Sequence, residues 1–284
     1  MAQERTKFIA PCTENYGCSQ NALTLYASDH GKVDFLECKV ESDGCGLIWR
    51  DTTTCPEERV YDEEYFISLH RYNKNRAHRI RKAHLFLAIL EQFTAPGHIL
   101  EVGPALGYNL EAARERDWRV EGIDISDYIV KRSCDLGFDI EKGRLGENSK
   151  PDRQYDAILL KHVLEHYGDP FAALRDANRL LRPDGLVQIF VPNGEYWKAG
   201  MLRHRHKFYR YDANGIDHYV YFNRTTLSQI LKTVGFEVVQ ENYPFFVPGD
   251  GGPLHVLERV GRNLMSRINC DQELMVIARK TKKT

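Results

Sequence analysis

From His98 onward the chain alternates short apolar runs with segments of helical period, and few folds can accommodate that alternation. "HILEVG" (98–103), "RVEGIDIS" (119–126), "YDAILLKHV" (155–163), "LVQIFVPN" (186–193), "FEVVQENY" (236–243) and "ELMVIARK" (273–280) read as strands. Helices are predicted over 108–117 and around 127–136. A third opens at Asp169-Pro170, carries Phe171, Leu174 and Leu181, and stops at "RPDG". A fourth is capped by Asn223, carries Leu227, Ile230, Leu231 and Val234, and closes at Gly235. Strands interleaved with helices predict an α/β fold whose mainly parallel sheet is covered on both faces.

In such a sheet the first strand-to-helix turn lies at the carboxyl edge, where ligands bind. Here it reads "ILEVGPALGYNL" (99–110), with Gly103 and Gly107 holding the turn and Glu101 just before it. Glycine lets backbone approach a ligand without a Cβ in the way. Ala105 stands where the usual pattern has its middle glycine, a single added methyl that is tolerated if its backbone angles are ordinary. Asp124 ends the second strand, placed to accept both hydroxyl hydrogens of a ribose, with Ile125 beside it. A dinucleotide dehydrogenase is the simplest competitor, but it would use a stricter G-x-G-x-x-G and would leave the downstream motifs unexplained.

Those motifs are "YDAILLKHVLEHYGDP" (155–170), "LLRPDGLVQIFVPN" (180–193) and "LSQILKTVGFEVV" (227–239). With the loop and "VEGIDIS", the chain over about 98–281 resembles class I S-adenosylmethionine-dependent methyltransferases. The resemblance implies a Rossmann-like fold with a mostly parallel seven-stranded sheet and S-adenosylmethionine as cofactor. By position it assigns Glu101, Gly103, Ala105, Gly107, Asp124 and Ile125 to the cofactor, with Lys161 and His162 near its methionine and sulfonium end. The family often has an acidic residue near the adenine, whereas this chain reads "EKGRLGE" with Arg144 there, so backbone amides near Leu145 are the expected substitute.

Five of the seven cysteines fall in the first 55 residues, and in a reducing compartment such clustering favours a metal over disulfides. Cys12 and Cys18 form one pair and Cys38 and Cys45 a second, the four thiolates that tetrahedral structural zinc requires. Both pairs are wider than the usual two-residue spacing, Cys55 is a spare, and four buried free thiols are the alternative. "CGLIWRD" (45–51) resembles the end of the N-terminal zinc-ribbon-like module in a subgroup of small-molecule and sugar methyltransferases. The expected division is a Cys-rich module over 1–58, a helical linker or lid over 59–95, and a methyltransferase domain over 96–284. From Phe66 to Leu90 there is no acidic residue but six Lys or Arg and three His, while Ile80, Ala83, Leu87 and Leu90 recur at helical spacing.

Methyl transfer requires an aligned nucleophile and, for a hydroxyl, a base. Glu165 and His166 follow the fourth strand, and a long aromatic, His-rich insertion (194–222) follows the fifth. Histidine titrates near neutrality and is the natural base. The resemblance puts His218 first, since "DHYVYF" (217–222) matches a His-aromatic segment that borders the acceptor pocket in similar enzymes, and His166 second. Trp197, Tyr219 and Tyr221 are expected to line the acceptor pocket. "RHRHKFYR" (203–210), with Arg203 and Arg205, reads as a clamp for an anionic group on the acceptor or as a solvated turn. "PLHVLERVGRNLMSRI" (253–268) reads as an amphipathic helix that covers the site or pairs with another subunit.

With 42% hydrophobic residues, a net charge of −1 and a pI of about 6.8, the surface is not built to embrace nucleic acid or an anionic membrane. No run approaches the ~18 apolar residues of a membrane span, and a cytoplasmic monomer or homodimer is expected. The leading expectation is methyl transfer to a small-molecule acceptor, such as a sugar, nucleotide-sugar or natural product bearing an anionic group. The competitors are an RNA methyltransferase whose Cys module and basic segment (71–84) grip phosphates, and a non-catalytic S-adenosylmethionine-binding scaffold.

Overall fold

The computed structural model describes residues 23–26, 35–38, 45–50, 61–68, 76–145, 154–196, 218–242 and 273–281. Cys12, Cys18, Cys55, Cys270, Trp197, Arg203, Arg205 and the 253–268 segment lie outside them.

Each expected strand forms: β4 (His98–Val102), β5 (Arg119–Asp124), β7 (Tyr155–Lys161), β8 (Leu181–Pro192), β10 (Phe236–Glu241) and β11 (Glu273–Lys280). A short β6 (Ile140–Lys142) completes a seven-stranded sheet of order β10-β11-β8-β7-β4-β5-β6. The pairings from β8 to β6 are parallel, and β11 runs antiparallel to both β8 and β10. The apolar runs are continuous because both faces are covered. Leu100, Val102, Ile158 and Leu160 enter one core, and Ile99, Ala157 and Leu159 the other.

The first helix after β4, α3 (Tyr108–Arg114), ends earlier than the sequence suggests, and Asp117 turns back with φ 65° before β5. It is followed by α4 (Asp127–Asp135). In α5 (Pro170–Leu180) the Asp169 carboxylate accepts from the Ala172 N–H at 2.9 Å, as the Asp-Pro pair implies. In α6 (Arg224–Thr233), Asn223 and Thr226 form a reciprocal capping box. Leu181 is not helical but the first residue of β8. "RPDG" is looped out of the register, so that Tyr155 pairs with Leu181 and Ala157 with Leu186.

The N-terminal part contributes β1 (Leu23–Tyr26), β2 (Phe35–Cys38) and β3 (Ile48–Arg50). These form an antiparallel sheet that is completed from the other end of the chain by β9 (Val220–Tyr221), paired to β3. Two helices precede the main sheet, α1 (Glu63–Ser68) and α2 (Arg76–Leu90). On α2 the buried face is Ala83, Phe86, Leu87, Ile89 and Leu90, with Ile80 partly covered, so the sequence periodicity located it correctly. No helix among the described residues is long and apolar enough to cross a membrane.

Candidate functional site

β4 has β5 on one side and β7 on the other, so the chain reverses its direction of travel across the sheet at β4. The connections leaving β4 and β7 therefore diverge and open a crevice at their carboxyl ends. A cavity of about 320 Å³ lies there, walled by the loops after β4, β5, β6 and β7 and roofed by α1 and α2.

The β4 loop shapes its floor. Gly103 has φ 64°, donates its N–H to the Ile123 carbonyl at 2.8 Å, and would place a Cβ 2.7 Å from Val163 Cγ2. Glycine is required there for both conformation and space. Ala105 departs from expectation: its φ is 48°, left-handed rather than ordinary, so the missing glycine leaves strain in the loop. Gly107 caps α3 at φ 75° and packs near Phe138; it shapes the turn without lining the cavity.

Asp124 lies on the cavity wall, 7% exposed. Burial pushes its carboxyl up to about 6, against the pull of backbone N–H groups from Ser126, Ala105 and Ile125. Ile125 is 37% exposed, a large apolar side chain open on the cavity edge. Glu101 is buried and raised to about 7 by desolvation, with Asn109 and Lys161 opposing. Asn109 bridges the two, donating to Glu101 and accepting from Lys161 Nζ at 3.4 Å. Burial brings Lys161 down to about 8, and its ammonium stands 4.4 Å from the centre of the Phe86 ring.

His162 also carries a positive φ, 54°. This swings its ring to Glu273 at the start of β11, Nε2 to Oε2 2.6 Å, with Nδ1 3.4 Å from Glu165. Desolvation works against its proton, but the bonds to Glu165 and Glu273 prevail and raise it to about 9. Glu165 is wholly buried behind the wall; burial raises its carboxyl, but His162 and the other nearby histidines outweigh that and hold it low. His166 lines the cavity, as does Tyr219. His218 does not: it lies one layer back, 12% exposed, 4.0 Å from Glu165 and edge-to-face with His166 at 4.9 Å. Burial takes it down to about 4. Tyr221 is buried against His218 rather than turned to the cavity.

Leu145 does not line the cavity. Its side chain belongs to the core and its N–H donates to Tyr167 Oη at 3.1 Å, while Gly143 and Arg144 form that part of the wall. Sequence reading did not find Asn109, Glu273, or the aromatic roof of Tyr61, Tyr65 and Phe66. Arg79 and Lys82 are the members of the basic stretch that line the cavity. In the N-terminal part, Cys38 and Cys45 are neighbours, both buried, with the Cys45 N–H donating to Cys38 Sγ at 3.3 Å.

A family model described as a methyltransferase domain matches residues 72–241. The chain belongs to the methyltransferase-domain family. Its curated relatives include a "Probable S-adenosylmethionine-dependent methyltransferase" of Mycolicibacterium smegmatis, 28% identical over 49% of this chain and 52% of that protein. Another is a ubiquinone biosynthesis O-methyltransferase of Idiomarina loihiensis, 26% identical over 38% of this chain and 48% of that one. This methyltransferase-domain chain thus spans about half the length of the curated relatives it matches. Its fold is also that of the plantazolicin methyltransferase BpumL solved with S-adenosylhomocysteine (TM-score 0.54, 16% identity, 78% of this chain and 90% of that one). A methyltransferase from Archaeoglobus fulgidus gives TM-score 0.52 at 20% identity, over 77% and 100% of the two chains.

Proposed function

We propose that this protein transfers the methyl group of S-adenosylmethionine to a small-molecule acceptor. The observation that carries the reading is the Asp124 carboxylate beside an open apolar side chain, Ile125, on a cavity floored by a Cβ-free Gly103. Those are the requirements of a nucleoside: an acid for two ribose hydroxyls, an apolar edge for a base, and close backbone approach. When bound, the cofactor supplies a methyl group made electrophilic by a sulfonium.

The chain's own residues divide the remaining work. Arg79 and Lys82 on α2, with Lys161, give the amino-acid end of the cofactor a cationic neighbourhood for its carboxylate. Glu101, held by Asn109, offers the acceptor group an ammonium needs. Tyr61, Tyr65 and Phe66 exclude water from above. The wall of His166 and Tyr219, backed by Glu165 and His218, is where the acceptor's nucleophilic atom sits and gives up its proton.

A small-molecule acceptor is favoured over RNA because part of the basic stretch turns inward onto the cavity, leaving less of it to grip a phosphate backbone. The anionic character of the acceptor, and any clamp by Arg203 and Arg205, belong to this reading. So does a zinc bound by Cys12, Cys18, Cys38 and Cys45, for which the adjacency of the second pair is the support. A crystal structure with S-adenosylhomocysteine tests the whole arrangement. The ribose should meet Asp124 and the thioether should face His166 and Tyr219; a ligand bound with its ribose elsewhere overturns it.

A further inference from the structure

The short turn Leu164–His166 and the residues entering β9 bring Glu165, His166 and His218 together, one donor atom of each within 4.8 Å of the others. The cluster is built into the backbone. The Tyr219 N–H donates to the Glu165 carbonyl at 2.7 Å, and the His166 N–H donates to the Val163 carbonyl at 3.0 Å. Glu165 is 0% exposed, and neither of its carboxylate oxygens has an aligned hydrogen bond; Nδ1 of His218 is buried in the same condition. His162 is shared between two carboxylates, closer to Glu273 at 2.6 Å than to Glu165 at 3.4 Å. The nearest imidazole nitrogens stand 3.4 and 4.0 Å from this buried carboxylate, so a cation bound closer by would complete its surroundings.

We propose that Glu165, His166 and His218 bind one divalent cation of the zinc class on the acceptor side of the cavity. The proposal rests on the methyl-transfer reading above and makes it more specific. Two imidazoles and one carboxylate suit zinc and its transition-metal neighbours, whereas magnesium and calcium prefer oxygen ligands. Three protein ligands leave coordination positions open, as catalytic rather than structural sites do. His166 lines the cavity, so the open side faces the acceptor. A hydroxyl held there loses its proton to solvent more readily, which makes oxygen the atom methylated. In this arrangement the two histidines hold the ion and neither takes the proton.

Cobalt(II) is a suitable probe, because cobalt on cysteine shows a sulfur-to-metal charge-transfer band that a His/Glu site lacks. Titrated into the full chain, it should give visible absorption bands that saturate at about one equivalent in addition to any thiolate-bound cobalt. Glu165→Gln and His218→Ala should lose those bands while S-adenosylhomocysteine affinity, measured by calorimetry, stays within about twofold. Wild-type protein that takes up no cobalt outside thiolates, or variants that keep the bands in full, would overturn the site. Because Glu165→Gln removes a buried charge, His166→Ala serves as the second variant if the first does not fold. Cobalt binding without any binding of S-adenosylmethionine would defeat the methyl-transfer reading and leave the metal site standing; the reverse outcome defeats the site alone.

Discussion

Ala105 carries a side chain where the backbone is left-handed, at φ 48°, between two glycines that share that handedness. The left-handed region costs an ordinary residue roughly 1–2 kcal/mol, and glycine gives back part of the gain through its freer unfolded chain. Ala105→Gly should therefore stabilise the protein by about 0.5–1 kcal/mol in urea unfolding. Destabilisation would show that the methyl makes a contact worth more than the strain. Asp124 gives a second residue-scale expectation. Its carboxyl titrates at about 6, not at the ordinary 3.8, because burial disfavours the charge. Ribose hydroxyls need the carboxylate, so cofactor affinity should fall as pH drops through about 6, and Asp124→Asn should abolish that dependence. For the free protein the sign is opposite. The folded state holds this proton longer than the unfolded chain, so the group's contribution to stability is lost as pH rises from about 4 to about 6.

The elements that the sequence revealed were those whose signals are local. The Asp169 and Asn223 caps announce helices through bonds that span three residues, and the β4 loop states its conformational needs in consecutive residues. The roof was harder. Tyr65 and Phe66 belong to a six-residue helix, too short for a period to establish, and Tyr61 lies just before it. On α2 the apolar face was readable, but which basic residues turn toward the cavity depends on where the sheet stands, and the helix alone does not say. Arg79→Ala and Lys82→Ala should each weaken S-adenosylmethionine binding by about three- to tenfold, less so at high salt. Arg81→Ala, on the exposed face of the same helix, should leave it unchanged. Equal losses from all three would mean that α2 acts as a diffuse charge and not as a wall of the site.

At the scale of the whole molecule, distant segments complete the site. Glu273 reaches His162 from 111 positions away, and Asn223 holds the Gly46 carbonyl across 177 at 3.2 Å. Pattern within a window cannot supply such partners, which is why Glu273 and the pairing of β9 with β3 were not legible. That pairing also joins the cysteine-bearing sheet to the segment carrying His218 and Tyr219. If zinc holds the cysteines, a strong chelator should lower the melting temperature by several degrees and also reduce turnover. An unchanged melting temperature would contradict the four-thiolate site. The most direct measurement for the molecule as a whole is a calorimetric titration of the full chain, and of Asp124→Ala, with S-adenosylmethionine. One saturable site per chain is predicted, weakened at least about tenfold in the variant. Absence of binding at millimolar cofactor, or equal affinity in the two proteins, would contradict it.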